Sequence, residues 1–146
     1  MYQNTNKKLT SAGAIIFRRE NKDIKYLLLH FVHGHWGFAR GGIEKGEEYI
    51  DTALREIKEE TGLTKKDLNF IPKFQTNAQY YFQGYSGKLI QKENILFLAE
   101  TKKKEIELSH EHTEYVWLSF KDAHKKLAFK TQRKMLKDAH NFLGAN

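Results

Sequence analysis

The chain has 146 residues, no cysteine and a formal net charge of +7, with 25 Lys and Arg against 18 Asp and Glu. This length suits a single domain, residues 1–146, around one hydrophobic core, and the lack of cysteine excludes disulfides and thiolate metal sites. The apolar runs are too short to span a bilayer and the N-terminus lacks the apolar core of a secretory signal, so we expect a cytoplasmic protein without a membrane partner.

Six apolar segments bounded by polar residues predict β-strands. In chain order they cover residues 11–18, 24–32, 68–75, 79–83, 94–101 and 113–118. A polar turn at 20–23 joins the first two strands, and the aromatic spacing before Ser86 and Gly87 indicates a hairpin. Residues 1–9 precede the first strand, and we expect them to form a flexible N-terminal segment.

Three further segments have helical patterns. The first covers 49–61, and the second covers 120–127 behind a Ser119 cap. A C-terminal helix is marked by apolar residues at helical spacing, which are Met135, Leu136, Ala139, Phe142 and Leu143. We interpret this stripe as core packing rather than as a binding face, and we expect no obligate protein partner. The mixture of strands and helices predicts an α/β fold in which a mixed β-sheet lies between helices.

One segment contains most of the residues with recognisable chemistry. Residues 41–63 read GGIEKGEEYIDTALREIKEETGL and fit the pattern G-x5-E-x7-R-E-U-x-E-E-x-G-U, where U is a bulky aliphatic residue. The fixed positions are filled by Gly41, Glu47, Arg55, Glu56, Ile57, Glu59, Glu60, Gly62 and Leu63. This pattern is the signature of the Nudix hydrolases, so the chain resembles that family. The resemblance implies an α/β/α sandwich and a pyrophosphohydrolase that cleaves nucleoside diphosphates linked to another group.

The acidic residues of the motif share one face of the predicted helix. With Glu56 set at 0° and about 100° per residue, Glu60 falls at about +40° and Glu59 at about −60°, beside an apolar stripe. Three carboxylates within one turn repel one another, and a divalent cation that prefers oxygen ligands, Mg²⁺ or Mn²⁺, removes that repulsion. We therefore predict Glu56, Glu59 and Glu60 as metal ligands rather than as a solvated charged face. The family uses the same positions.

The resemblance implies roles for residues around this acidic face. In the family, the backbone carbonyl before the first glycine of the motif also binds metal, and that residue is Arg40 here. Glu47 and Arg55 are expected to brace the loop and the helix by ion pairing. Arg55 also remains among the candidate catalytic residues together with Glu59 and Glu60. Metal ions neutralise phosphate charge and activate a bound water, and a nearby carboxylate removes its proton.

Outside this motif the chain looks like the asymmetric diadenosine tetraphosphate hydrolases of animals and archaea. The matching segments include 11–18, 26–30 and LSHEH at 108–112, which is followed by Trp117. The resemblance implies hydrolysis of diadenosine tetraphosphate to ATP and AMP. The glutamate of the family's Ser-His-Glu-His segment is thought to act as the base, and its counterpart here is Glu111.

Two histidines flank this candidate base. His110 and His112 alternate with Glu111 on what we predict to be an extended segment, so both should point away from it. Taken alone, the three residues could also form an ordinary surface loop. A zinc site is disfavoured because no third ligand stands at a suitable spacing.

The resemblance also implies substrate contacts. His35 and Trp36 match the family near its nucleotide site, and Arg40 is a candidate phosphate contact. Tyr80 or Tyr81 falls in the region where the family stacks an adenine on a tyrosine. Packing of either tyrosine on the core is an equally good interpretation.

The chain departs from the family in two places. Residues 36–42 read WGFARGG where the family has W-x-x-P-K-G-H, and we expect Gly41 and Gly42 to open a loop before the helix. Without the proline this loop should be less rigid. A later Lys-Tyr pair of the family falls at about Ile95 and Leu96, which predicts the loss of one phosphate contact and one hydroxyl.

Two other functions stay open. The first is a Nudix enzyme acting on RNA 5′ ends or nucleoside triphosphates, for which the lysine-rich segments 102–104, 121–130 and 133–137 could provide a basic surface. A solvated lysine surface explains the same segments. The second is a non-catalytic nucleotide-binding or RNA-binding module, which would be expected to lose carboxylates of the motif, whereas none is missing here.

Overall fold

Strand β1, Lys8–Glu20, lies at the centre of a mixed sheet in the computed structural model, which describes residues 8–144. Strand β2, Asp23–Phe31, pairs with β1 antiparallel, and β7, Leu89–Glu100, pairs with it in parallel on the other side. The other strands are β3 (Trp36–Gly37), β4 (Ala39–Gly42), β5 (Asn69–Phe70), β6 (Thr76–Gln83) and β8 (His112–Leu118). Of the predicted flexible segment 1–9, residues 1–7 lie outside the described residues, and Lys8 and Leu9 belong to β1.

Helices cover both faces of this sheet because its central strands are apolar on both sides. Helix α1, Tyr49–Thr61, packs Ile57 on the face that carries Ile16. Helices α2, Phe120–Lys126, and α3, Lys130–Phe142, cover the opposite face, where Leu136 packs near Phe17. The predicted α/β/α sandwich is confirmed. Among residues 8–144, no helix is both long enough and apolar enough to cross a membrane.

Helix α1 has the predicted bounds, and local capping explains where it begins and ends. Glu48 and Asp51 form a reciprocal capping box at the N-terminus. Gly62 follows the last turn with φ of +78°, a left-handed conformation that glycine adopts without strain. The acidic residues of the motif are therefore carried by a helix with defined ends.

The predicted strand at 68–75 is wrong for most of its length. Only Asn69–Phe70 pairs, with β7, and the chain then turns through Pro72 and Lys73 before β6 begins. Proline has no N–H to donate to a strand, and Lys73 has φ of +66°. The predicted hairpin is present, formed by β6 and β7, although β7 begins five residues earlier than the predicted strand at 94–101.

The loop that we expected at Gly41 and Gly42 is a strand. Strand β4 pairs antiparallel with β1, with Ser11 opposite Gly42 and Ala14 opposite Ala39. Gly13 permits this close approach, because a side chain there would overlap the backbone of Ala39 and Arg40. The loop before α1 begins only after Gly42, so the first residues of the motif are held rigidly by the sheet.

Candidate active site

Strand β4 positions two carboxylates of α1 at the edge of the sheet. The Glu56 carboxylate lies directly on Gly41, where any side chain would overlap it. The backbone N–H of Arg40 donates to Glu60 Oε1 at 3.2 Å. The Glu60 side chain is only 4% exposed and that of Glu56 13%, so both are held in a restricted environment. The predicted pair is therefore brought together by the helix and by the main chain of β4.

The electrostatics of this pair fit a divalent cation. Burial raises the pKa of Glu60 well above its ordinary value, and the hydrogen bond and charge of Glu56 raise it further. The Arg40 N–H opposes the shift only in part. A buried and a half-buried carboxyl group side by side form an oxygen donor set that suits a hard divalent cation.

The third predicted ligand, Glu59, is more exposed than this pair. Its side chain is 58% exposed, and Glu59 Oε2 lies 3.7 Å from Nη1 of Arg55. Within residues 8–144, no three acidic or histidine side chains converge as a ready-made metal site. Glu56 and Glu60 are therefore already adjacent, and the role of all three residues as metal ligands stays a prediction.

Arg55 lies at the centre of a network that connects α1 to the segment before it. Its Nε and Nη2 donate to the two carboxylate oxygens of Glu47 at 2.8 and 3.0 Å, and Nη2 also donates to the Gly42 carbonyl at 2.9 Å. Its Nη1 donates to Glu56 Oε2 at 2.6 Å. The hydrogen bond from Arg55, followed by that from Thr52, lowers the pKa of Glu47 to about 2. This geometry supports the bracing role, while a catalytic role for Arg55 stays a prediction.

The contact between Gly41 and Glu56 gives a test of this arrangement. We expect Gly41→Ala to displace the Glu56 carboxylate and to weaken Mn²⁺ binding by about 10- to 100-fold, as for other changes that misplace a ligand. Mn²⁺ titration followed by electron paramagnetic resonance measures the loss. Gly42→Ala is the matched control, since no atom of residues 8–144 lies within 4 Å of the added methyl group and Gly42 does not have a left-handed φ. Equal affinities in the two variants would contradict the arrangement.

The segment with the candidate base is a turn, so our premise of an extended segment is wrong. The His112 N–H donates to the Ser109 carbonyl at 3.2 Å, and β8 begins only at His112. Glu111 is exposed, and burial raises the pKa of Glu60 most while the negative charge of Glu111 adds the smallest contribution. His112 is buried, with Nε2 at 3.8 Å from Glu60 Oε1. It therefore belongs to the site, whereas His110 is exposed.

Cationic and aromatic residues line the opposite face of β4. Side chains alternate between the faces of a strand, so Arg40 points away from the face that Gly41 presents to α1. Register places Lys92 and Tyr80 on the same face as Arg40, and Tyr81 on the other. Burial, followed by the charge of Arg40, lowers the pKa of Lys92. Tyr80 therefore shares a face with Arg40 and Lys92, and a contact of either tyrosine with a nucleotide stays a prediction.

Lys92 was not among the residues predicted from the sequence. We expected instead that a phosphate contact is lost at Ile95 and Leu96. Both of these residues are buried in the core at 1% exposure. Counting back in steps of two from the buried Leu96 would have placed Lys92 on the same face of β7. The strand therefore supplies a cation three residues before Ile95, the position expected for the lysine.

An aromatic surface adjoins these cations. The His35 ring stacks on Phe31 at 5.0 Å and meets the edge of Phe129 at 5.3 Å. Burial, and then the charge of Arg40, lowers the pKa of His35. Trp36 is half-buried, with Lys126 Nζ 4.7 Å from its ring centre. Phe129 is 50% exposed and was not predicted, because its packing across the fold on His35 has no local signature.

The chain is similar to several known proteins. Residues 7–139 match the family model described as NUDIX domain. The bis(5′-nucleosyl)-tetraphosphatase (asymmetrical) of Mus musculus is 37% identical over 145 residues, which cover 92% of this chain and 95% of that protein. The crystal structure of a C. elegans Ap4A hydrolase binary complex superposes with a TM-score of 0.84 at 29% identity, covering 93% of this chain and 98% of that chain. An RNA pyrophosphohydrolase of Pelagibacter ubique is 23% identical over 119 residues, 75% of each chain.

Proposed function

The chain belongs to the Nudix hydrolase family, and we propose that it cleaves diadenosine tetraphosphate asymmetrically to ATP and AMP in a divalent-metal-dependent reaction. The observation that carries this proposal is the adjacent pair of Glu56 and Glu60 carboxylates, held against the main chain of β4. Arg40, Lys92 and Tyr80 lie on the opposite face of the sheet. The similarity to the tetraphosphatase of Mus musculus along 92% of the chain supports the choice of substrate.

The donor set fits Mg²⁺, with Mn²⁺ as a substitute. Glu56 and Glu60 would hold the cation, and Glu59 and the Arg40 carbonyl are the further ligands that we propose. When bound, such a cation neutralises phosphate charge and lowers the pKa of a water molecule. Arg55 keeps Glu56 in place through its 2.6 Å hydrogen bond, so its contribution to this function is to position a ligand.

The remaining residues bind the substrate and move a proton. Arg40 and Lys92 share a face and would contact the phosphates, a role that suits the bidentate guanidinium of arginine. Tyr80 and His35 offer rings on which a base can stack. Glu111 is exposed beside the carboxylate pair, and we assign it as the general base that accepts a proton from the attacking water.

Product analysis over a panel of substrates tests the proposal. With Mg²⁺, we expect diadenosine tetraphosphate to yield ATP and AMP with a higher kcat/KM than nucleoside triphosphates, capped RNA or 5′-triphosphorylated RNA. Chromatographic separation of the products gives both the rate and the position of cleavage. A preference for a triphosphate would overturn the substrate assignment but not the family, and turnover of no member would favour a non-catalytic binding module.

RNA 5′ ends are the second candidate substrate. The basic character of the chain, with a pI near 9.5, and the similarity to an RNA pyrophosphohydrolase both favour it. A longer RNA would make many phosphate contacts, so its KM would rise steeply with salt concentration, whereas a dinucleotide would show a shallow dependence. Measuring KM at several salt concentrations therefore separates the two candidates.

A further inference from the structure

His112 is a buried imidazole with an unused nitrogen next to the carboxylate pair. Its side chain is fully buried, and Nε2 has no hydrogen-bond partner within residues 8–144. A buried polar atom without a partner costs stability, so such an atom calls for an explanation. The polar atom that Nε2 faces is Glu60 Oε1 at 3.8 Å, which a small side-chain movement would bring to hydrogen-bond distance.

Ser109 is the hydrogen-bond partner of the other ring nitrogen of His112, Nδ1. The Ser109 hydroxyl accepts from the backbone N–H of Glu111 at 3.3 Å and lies 3.1 Å from His112 Nδ1. A hydroxyl has one hydrogen and two lone pairs, so it can donate to Nδ1 while it accepts from Glu111. This direction fits the surroundings, because it leaves a hydrogen on Nε2 facing the Glu60 carboxylate, whereas a bare Nε2 lone pair would face that negative charge. Nδ1 is then the acceptor and Nε2 carries the hydrogen, directed at the Glu60 carboxylate.

The surroundings hold this ring and this turn in place. The ring of His112 packs on Phe31 with centroids 4.5 Å apart. The backbone N–H of Val32 donates to the Glu111 carbonyl at 3.0 Å, which fastens the turn to the end of β2. The turn that carries Glu111 is thus hydrogen-bonded to the end of β2, and His112 at its end approaches Glu60 of α1.

We propose that Ser109 and His112 form a positioning pair, in which the Nε2–H of His112 orients the Glu60 carboxylate for a divalent cation and couples it to the turn that carries Glu111. Neither residue touches the reacting atoms. The inference rests on the proposed function for its role in catalysis, but its effect on cation binding is independent of the substrate.

The test compares cation affinity in four variants without substrate. His112→Phe keeps the ring that packs on Phe31 and removes the N–H, and we expect it to weaken Mn²⁺ binding about 10- to 100-fold, the usual cost of losing a partner behind a ligand. His112→Gln, which can place an N–H near the position of Nε2, should recover part of the affinity. Ser109→Ala should weaken binding to a smaller extent. His110→Phe, an exposed neighbour, is the matched control and should bind like wild type.

Electron paramagnetic resonance measures free Mn²⁺, and calorimetry measures the Tm of each variant. Wild-type Mn²⁺ affinity in a folded His112→Phe protein would overturn the inference. If His112→Phe does not fold, Ser109→Ala decides, because an unchanged affinity there contradicts the assigned hydrogen-bond direction. Weakened Mn²⁺ binding in a protein that hydrolyses no member of the panel would contradict the proposed function and leave this inference standing.

Discussion

Glu60→Gln is expected to abolish metal-dependent hydrolysis while the fold survives. The amide keeps an oxygen that can accept the Arg40 N–H, now at 3.2 Å, and its NH₂ group can donate to Glu56 as a protonated carboxyl would. The variant therefore retains the local hydrogen bonds but loses a negative ligand. Because a catalytic cation contributes several kcal/mol of transition-state stabilisation, the rate should fall by about 10³-fold or more.

Steady-state rates with Mg²⁺ and a Mn²⁺ titration measure this loss, and circular dichroism checks the fold. Glu59→Gln is the informative comparison, because Glu59 is exposed and bonded differently. An equal loss of turnover and Mn²⁺ affinity in Glu59→Gln would include Glu59 among the ligands. A small loss would leave Glu56 and Glu60 as the carboxylate ligands. Wild-type turnover of Glu60→Gln would remove the metal assignment altogether.

In the metal-free protein, the pH dependence of the free energy of unfolding gives a second test of Glu60→Gln. The pKa of Glu60 in the folded state lies well above its ordinary value of 4.5, so the folded chain keeps a proton that the unfolded chain releases. The contribution of this group to the free energy of unfolding is therefore full below about pH 4.5 and is lost as pH rises towards the folded pKa. In Glu60→Gln this part of the pH dependence should be absent, and urea unfolding across pH measures it.

The sequence predicted the parts of the site that depend on local geometry. Helical spacing alone put Glu56 and Glu60 on one face of α1, because 3.6 residues per turn fixes that relation. It could not predict that the pair meets the main chain of β4. That contact depends on the register between β1 and β4 and on the missing side chain of Gly13, and both involve residues far apart in the chain.

The place of three other residues in the site was not predicted, and for two of them the reason is again a contact between distant parts of the chain. His112 joins the site because the chain turns at Ser109, and a turn changes the direction of side chains that alternation would have pointed away. Phe129 reaches His35 across the fold, which no periodicity reports. Lys92 is different, since the two-residue period of β7 could have found it once Leu96 was recognised as core.

Glu111→Gln should lower kcat by about 10²- to 10⁴-fold, the usual contribution of a general base, and leave Mn²⁺ affinity close to wild type. Glu111 is exposed and stands on a turn, so the substitution buries nothing and removes only a charge and a proton acceptor. Glu111 directly precedes His112, whose Nε2 lies 3.8 Å from Glu60 Oε1, so the turn brings it towards the proposed metal site. Substrate binding should be affected little, so the loss should appear in kcat rather than in KM.

The pH dependence of kcat distinguishes a general base from a carboxylate that contributes only its negative charge. If Glu111 accepts the proton, the acidic limb of the kcat profile should disappear in Glu111→Gln, because that limb reports deprotonation of the base. Glu114→Gln, an exposed glutamate on the neighbouring β8, controls for a general loss of negative charge and should keep wild-type kcat. An unchanged kcat in Glu111→Gln would move the base into the helix motif. There Glu59 would be the next candidate, because the carboxylates of the other two predicted ligands, Glu56 and Glu60, already contact β4.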